Sequence, residues 1–263
     1  MWRAYRAEWL RLRRSRSLRV AAATGALVTC AFTVLLVLLA ARRAQHGVTS
    51  SVTRSQLVRP DGLAALIHPA GTLILPLIAL VLVGGAIAAE YRGGMIRVLL
   101  TQNPGRIAML AGKLAALATC LAVVVAAAVA AALAVGVPLA EARGVAAGAW
   151  FRPAGISATA AAAGDALLAS AGWGLAGAAL AILTRSVAVT IGVAAGYLLI
   201  VENILAGAWQ GARHWFPGHV IGAIGSGGAA GLPYGRALGL AALYMLVIIG
   251  AAGIAFARRD VTE

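Results

Sequence analysis

Glu202 stands in Leu198-Leu199-Ile200-Val201-Glu202-Asn203-Ile204-Leu205 and reads as the one acid well inside an apolar stretch. An intramembrane carboxylate is costly and usually faces a protein interior or a water-filled path. Three roles are open to it: a gate or packing hydrogen bond to a neighbouring helix, an interfacial group touching water, or a substrate or proton site. It follows Ser186 by sixteen residues, which at about 1.5 Å each places it about 24 Å across a bilayer, toward the far boundary. Of the three the structural gate is favoured. Asn203 beside it and Pro233 in the Gly/Pro-rich stretch beyond are expected to serve the same outer gate or pathway.

The second group with the means to do work is Ile87 to Lys113, which reads IAAEYRGGMIRVLLTQNPGRIAMLAGK. Glu90 ends an apolar run and Gly93-Gly94 permits a sharp bend. Met95, Ile96, Leu99 and Leu100 then make an apolar stripe before Asn103-Pro104-Gly105 breaks the chain. The spacing predicts a short helix lying across the ends of two spans. Its apolar side chains need lipid or a protein groove, and a groove would let a soluble partner push on both spans.

Chemistry of the enzymatic kind has no candidate. No Ser/His/Asp set, carboxylate pair or Cys/His cluster appears in an arrangement that specifies a reaction. His214 and His219, without nearby Cys or carboxylate in sequence, do not specify a metal, so neither metal nor cofactor is expected. A phosphate-binding loop needs G-x-x-x-x-G-K-[ST]; the sole Gly-Lys pair, Gly112-Lys113, has Ile107 at the leading glycine and Leu114 at the hydroxyl position. ATP cannot be bound by that motif. Cys30 and Cys120 both fall in apolar runs, where a thiol behaves as a small hydrophobe.

What must position these residues is a bilayer. The 263 residues are 62% hydrophobic and 11% charged, with a mean hydropathy of +0.91, which leaves no room for a large soluble domain. The sequence predicts an all-α integral membrane domain of six spans, at about 20–41, 69–89, 114–136, 166–184, 187–206 and 237–257. Pro76 falls in the second, where neighbouring helices can satisfy the freed carbonyl. The Gly/Ala-rich fourth should pack closely against a neighbour, and Gly192-x-x-x-Gly196 permits close contact in the fifth. The segment from Trp209 to Tyr234, between spans five and six, reads as a Gly-rich external loop with interfacial aromatics.

The net charge of +14 lies beside the spans rather than on a basic-aromatic surface, so the implied counter-charge is anionic lipid and not nucleic acid. Seven arginines crowd residues 1–19, where Trp2, Tyr5, Trp9 and Leu12 recur at helical spacing. This is the pattern of an amphipathic helix lying in the membrane interface. With that helix inside, fourteen of the 22 basic residues fall on the cytoplasmic side, as the positive-inside rule requires. Six spans then leave both termini in the cytoplasm.

The Glu90 to Lys113 segment resembles the cytoplasmic loop of type-2 ABC transporter permeases through Glu90, Tyr91, Arg92, Gly94, Leu99, Leu100, Pro104, Arg106 and Lys113. Met95 stands where that family usually has threonine. The basic N-terminal helix resembles the family's elbow helix, and Phe256-Ala257-Arg258-Arg259-Asp260 its usual ending. The resemblance implies a non-catalytic subunit of a bacterial inner membrane. It would pair with a second permease subunit and two copies of an ABC ATPase, and export is the more common direction. Glu90, Tyr91, Arg92, Gly94, Ile96, Leu99, Leu100 and Arg106 would couple to the ATPase through a coupling helix, and the loop after span five would carry short helices capping the pathway. Apolar walls suit small-molecule, lipid and peptide substrates alike. A self-contained channel or proton-coupled secondary transporter using Glu202, and a non-transporting membrane anchor or immunity protein, are the rival readings.

Overall fold

The computed structural model describes residues 2–46, 52–92 and 106–258, all-helical apart from turns and one isolated bridge between Ala229 and Leu232. Eleven α-helices are described: α1 (Trp2–Arg14), α2 (Arg16–His46), α3 (Arg54–Leu57), α4 (Gly62–Pro69), α5 (Leu75–Arg92), α6 (Arg106–Ala142), α7 (Pro153–Thr184), α8 (Val187–Gly196), α9 (Glu202–Ala208), α10 (Pro217–Gly225) and α11 (Tyr234–Arg258). Two π-turns, Ala70–Ile74 and Tyr197–Val201, join α4 to α5 and α8 to α9 into continuous rods.

Six stretches are long and apolar enough to cross a membrane: Arg16–Ala40, Gly62–Glu90, Gly112–Ala142, Pro153–Thr184, Val187–Ala208 and Tyr234–Ile254. This is a multi-pass membrane architecture. Each stretch overlaps one expected span, and the largest difference is the fourth, whose helix begins at Pro153 rather than near 166. Arg152 is extended and Pro153 occupies the first helical position, where its fixed φ suits a helix start. The Ala-rich residues that follow continue the helix without a break, so Asp165 sits inside it instead of ending it.

Ser15 separates α1 from α2. Its hydroxyl donates to the Leu12 carbonyl at 2.7 Å and accepts the Leu18 N–H at 3.3 Å, closing one helix and capping the next. The chain reverses between spans four and five at Arg185, which adopts a left-handed φ of 53°, and Ser186 then accepts the Val189 N–H as the cap of α8.

Span two packs most extensively on span four, and span one on span three. At the two–four crossing the backbones nearly touch. A Cβ on Gly177 would meet the Leu80 carbonyl oxygen at 2.9 Å, and one on Gly84 the Gly177 carbonyl oxygen at 3.0 Å. The Gly/Ala composition of span four is thus used for close approach, where dispersion and backbone proximity replace the hydrophobic effect that lipid cannot supply. Gly192 and Gly196 differ: a Cβ on either would meet nothing within 4 Å, so the chain itself does not use that face. The main core joins α1 to spans two and three through Leu12, Leu75, Leu82, Leu117, Leu121 and Val124.

Candidate functional site

The face carrying α1 holds a compact ionic cluster. Lys113, near the start of span three, pairs with Glu90, the last spanning residue of span two, and with Glu8 of α1 at 3.1 Å. Arg11 of α1 donates to Glu90 Oε1 at 2.9 Å and stands 3.8 Å from Glu8. Glu90 and Lys113 are buried, and the four formal charges cancel. Desolvation makes such charges costly singly and tolerable together. Glu90 and Lys113, which flank the segment 93–105 on either side, are therefore tied to the N-terminal helix by one set of contacts.

Of the residues expected to couple to a partner, Glu90 is placed in this cluster. Tyr91 and Arg92 end α5 and Arg106 opens α6. Gly94, Ile96, Leu99 and Leu100 lie outside the described residues, as does the expected helix between spans two and three. Glu8 and Arg11 escaped the sequence reading. Their only signal is an i,i+3 acid–base pair within a helix read as uniformly basic.

Beside the cluster lies a groove of about 640 Å³ between α1, the first turns of span one, the C-terminal half of span two and the start of span five. Glu8, Arg11, Ser15 and Glu90 form its polar end, and Leu77, Val81 and Ile191 belong to its apolar wall. A Cβ on Gly85, also in the lining, would meet nothing within 4 Å.

The opposite face carries α10, a nine-residue helix that caps the spans between five and six. Val220, Ile221, Ala223 and Ile224 bury its apolar side against spans four and six and the first π-turn. Glu202, 1% exposed, lies under its N-terminus. There it accepts the Gly218 N–H at 2.8 Å and the His219 N–H at 2.6 Å, and His219 Nδ1 approaches the same carboxylate at 2.7 Å. The first free N–H groups of a helix, with the positive end of its dipole, are the natural partners of an anion. Gly218 is needed because a Cβ there would stand 2.5 Å from Glu202 Oε2.

The first π-turn packs against this cap, and the second leads into the residue that anchors it. The first ends two residues before Pro76, whose missing N–H would leave a carbonyl unpaired in a regular helix, and Gly71 within it lies so close to the end of α10 that a Cβ on Gly225 would meet its carbonyl oxygen at 2.5 Å. The second immediately precedes Glu202. Asn203 donates to the Leu198 and Leu199 carbonyls at 3.1 and 3.2 Å, spending its amide on the widened turn. Pro233 is exposed, and its carbonyl accepts the Ala237 N–H at the head of α11.

A second carboxylate reaches the cap. The Tyr234 hydroxyl donates to Asp165 Oδ1 at 2.5 Å, while Oδ2 and the His68 ring both lie within 4.0 Å of where a Cβ on Gly227 would stand. Glu202 is therefore not the only acid inside a span. Asp165 looked like a span boundary because a charge in an apolar sequence reads as an end, and His68 carried no signal at all.

No family model matches this chain, and neither does any curated protein. Among the described residues, no group of three or more His, Cys, Asp or Glu side chains is placed to hold a metal ion.

Proposed function

We propose that this chain is the permease subunit of an ATP-driven exporter of the type-2 ABC class, working as a dimer with two separate ATPase subunits in a bacterial inner membrane. The observation that carries the reading is the Glu8–Arg11–Glu90–Lys113 cluster. It welds α1 to the ends of spans two and three, so a push on the segment between those spans moves three membrane elements as one body. Such a frame suits a chain that receives force from a partner.

The groove fits the same reading. Its polar end at the ionic cluster and its apolar wall along span two suit an amphiphilic drug, lipid or peptide taken from the cytoplasmic leaflet. Span five leaves Val189, Gly192, Val193 and Ile200 exposed, with open space at the half-buried Gly196, and such a face of small and branched residues supports a second permease subunit there. On the far face, a carboxylate held by two backbone N–H groups and an imidazole acts as an anchor for the cap, which favours a gate at Glu202 over a freely exchanging proton carrier.

The deciding experiment is purification of the tagged chain from its native host in mild detergent, with co-purifying proteins identified and counted. A stoichiometric soluble ATPase that is lost in the Leu99→Asp/Leu100→Asp variant, with membrane insertion unchanged, supports the proposal. A clean oligomer without any ATPase, active in flux through liposomes, overturns it and favours the secondary transporter.

A further inference from the structure

The groove beside the ionic cluster is as deep as one membrane leaflet. Its lining on span two runs from Glu90 back to Leu77, which at about 1.5 Å per residue is about 20 Å of helix, against about 15 Å for half of a bilayer's hydrocarbon core. Charge is confined to one end, at Glu8, Arg11 and Glu90, and the wall beyond is apolar through Leu77, Val81 and Leu82. We infer that this groove seats an anionic phospholipid of the leaflet on the α1 side, with its phosphate at Arg11 and one acyl chain along span two. The site deepens the role proposed for the groove above and rests on it, but does not depend on an ATPase.

The sign of the head follows from which charges a ligand can reach. Glu90 and Glu8 both turn to Lys113, and their side chains are only 7% and 18% exposed. Arg11 donates to Glu90, yet its side chain is 52% exposed and lines the groove. A head arriving from the membrane surface therefore meets a guanidinium before it meets a carboxylate, and a guanidinium's planar donors match phosphate oxygens. The rim has the same sign. Arg13, Arg16 and Arg19 are exposed on the same two helices, and Arg16 stands one turn ahead of the lining residue Val20. Among the described residues, Glu8 and Glu90 are the only acids at this end of the spans. A cationic head would have to draw one of them from Lys113, and a zwitterionic head would bring its ammonium to the arginine rim. Below the head, the open space at Gly85 leaves room for a chain.

The test is photo-crosslinking of the full-length protein in nanodiscs, using phosphatidylglycerol and phosphatidylcholine that carry the same diazirine on one acyl chain. Each lipid is used at the same mole fraction. Adducts on residues 77–89 are divided by those on Leu246, which is 71% exposed on span six and reports ordinary bilayer lipid. The ratio is expected to be about fivefold higher for phosphatidylglycerol, the preference that one arginine near the surface gives an anionic head. Arg11→Gln should bring the two lipids level. So should Ser17→Glu, which sets an acid in the exposed part of the lining and leaves the ionic cluster intact. Gly85→Trp should remove the groove adducts of both lipids. Equal ratios in the parent, an excess of phosphatidylcholine, or a preference that both Arg11→Gln and Ser17→Glu leave unchanged overturns the site. Co-purification of an ATPase bears on the transporter reading alone: an ATPase-bound chain without head preference loses this site and keeps that function, and a head-selective chain without an ATPase does the reverse.

Discussion

Lys113 and Glu90, twenty-three positions apart, form a buried ion pair that joins span two to span three at the face carrying α1. Glu8 and Arg11 complete the neutral set from a third element. Removing one member of a buried set leaves an uncompensated charge, whereas inverting a pair preserves neutrality. Lys113→Met is expected to lower stability by about 3–5 kcal/mol. Arg11→Met should cost far less, because its side chain is 52% exposed. The Glu90→Lys/Lys113→Glu double variant should recover much of what either reversal loses. Thermal unfolding in detergent, with insertion checked separately, reads all three.

Gly218 is the position where the cap has no room to spare. Gly218→Ala forces either α10 or Glu202 to move, since the new methyl carbon would stand 2.5 Å from a carboxylate oxygen. A loss of about 1–3 kcal/mol is expected from the overpacking alone. Gly222→Ala on the same helix is the control, with its nearest contact 3.8 Å away at the Thr72 carbonyl. Hydrogen exchange of residues 217–225 should rise in the first variant and stay unchanged in the second.

Glu202→Gln tests the anchor against the proton carrier. A glutamine keeps one acceptor oxygen and turns an amide toward donors, so one N–H at the start of α10 loses its partner. The expected cost is about 1–3 kcal/mol, that of an unsatisfied buried donor. Retained ATP-dependent flux with a loosened cap fits the gate. Loss of a pH-driven component of flux, with the cap still docked, would assign the residue to proton coupling instead.

How far these sites were legible depended on the physical range of each signal. Span positions follow from hydrocarbon thickness, a property local in sequence, and all six appear. Glu90 and Lys113 stood out because they bracket a patterned segment. Glu8 did not, since its value comes from a partner 105 positions away. Asp165 misled because charge marks a span end only on average; here Tyr234 and the Gly227 turn supply polar company inside the bundle. From its residues alone the cap helix read as a Gly-rich loop, and the expectation of short capping helices there came from the resemblance. Its helicity depends on Pro217 starting it, Glu202 holding its N-terminus and two π-turns leaving it space, and none of these is a local pattern.

Trp150 offers a check on the same far face. Its indole N–H donates to the Leu57 carbonyl at 2.9 Å, and the ring is 1% exposed between α3, α4 and the start of span four. Trp150→Phe strands that carbonyl and leaves a void, so about 2–4 kcal/mol of destabilisation is expected, combining the unpaired acceptor with partial loss of packing. Trp209→Phe, at a side chain 68% exposed, should be nearly silent in the same unfolding assay.

The groove separates transport from assembly. Gly85→Trp places an indole in open space within it, and Val81→Trp, at a side chain already 45% exposed, does so on its apolar wall. Neither touches Glu8, Arg11, Glu90 or Lys113, so insertion and recovery of any ATPase partner should persist. Substrate flux should fall if the groove is the entrance, because an indole projecting from its wall obstructs the passage of a ligand of drug size. Flux unchanged in both variants would remove the groove from the pathway, while the ionic cluster would still be judged by its own substitutions.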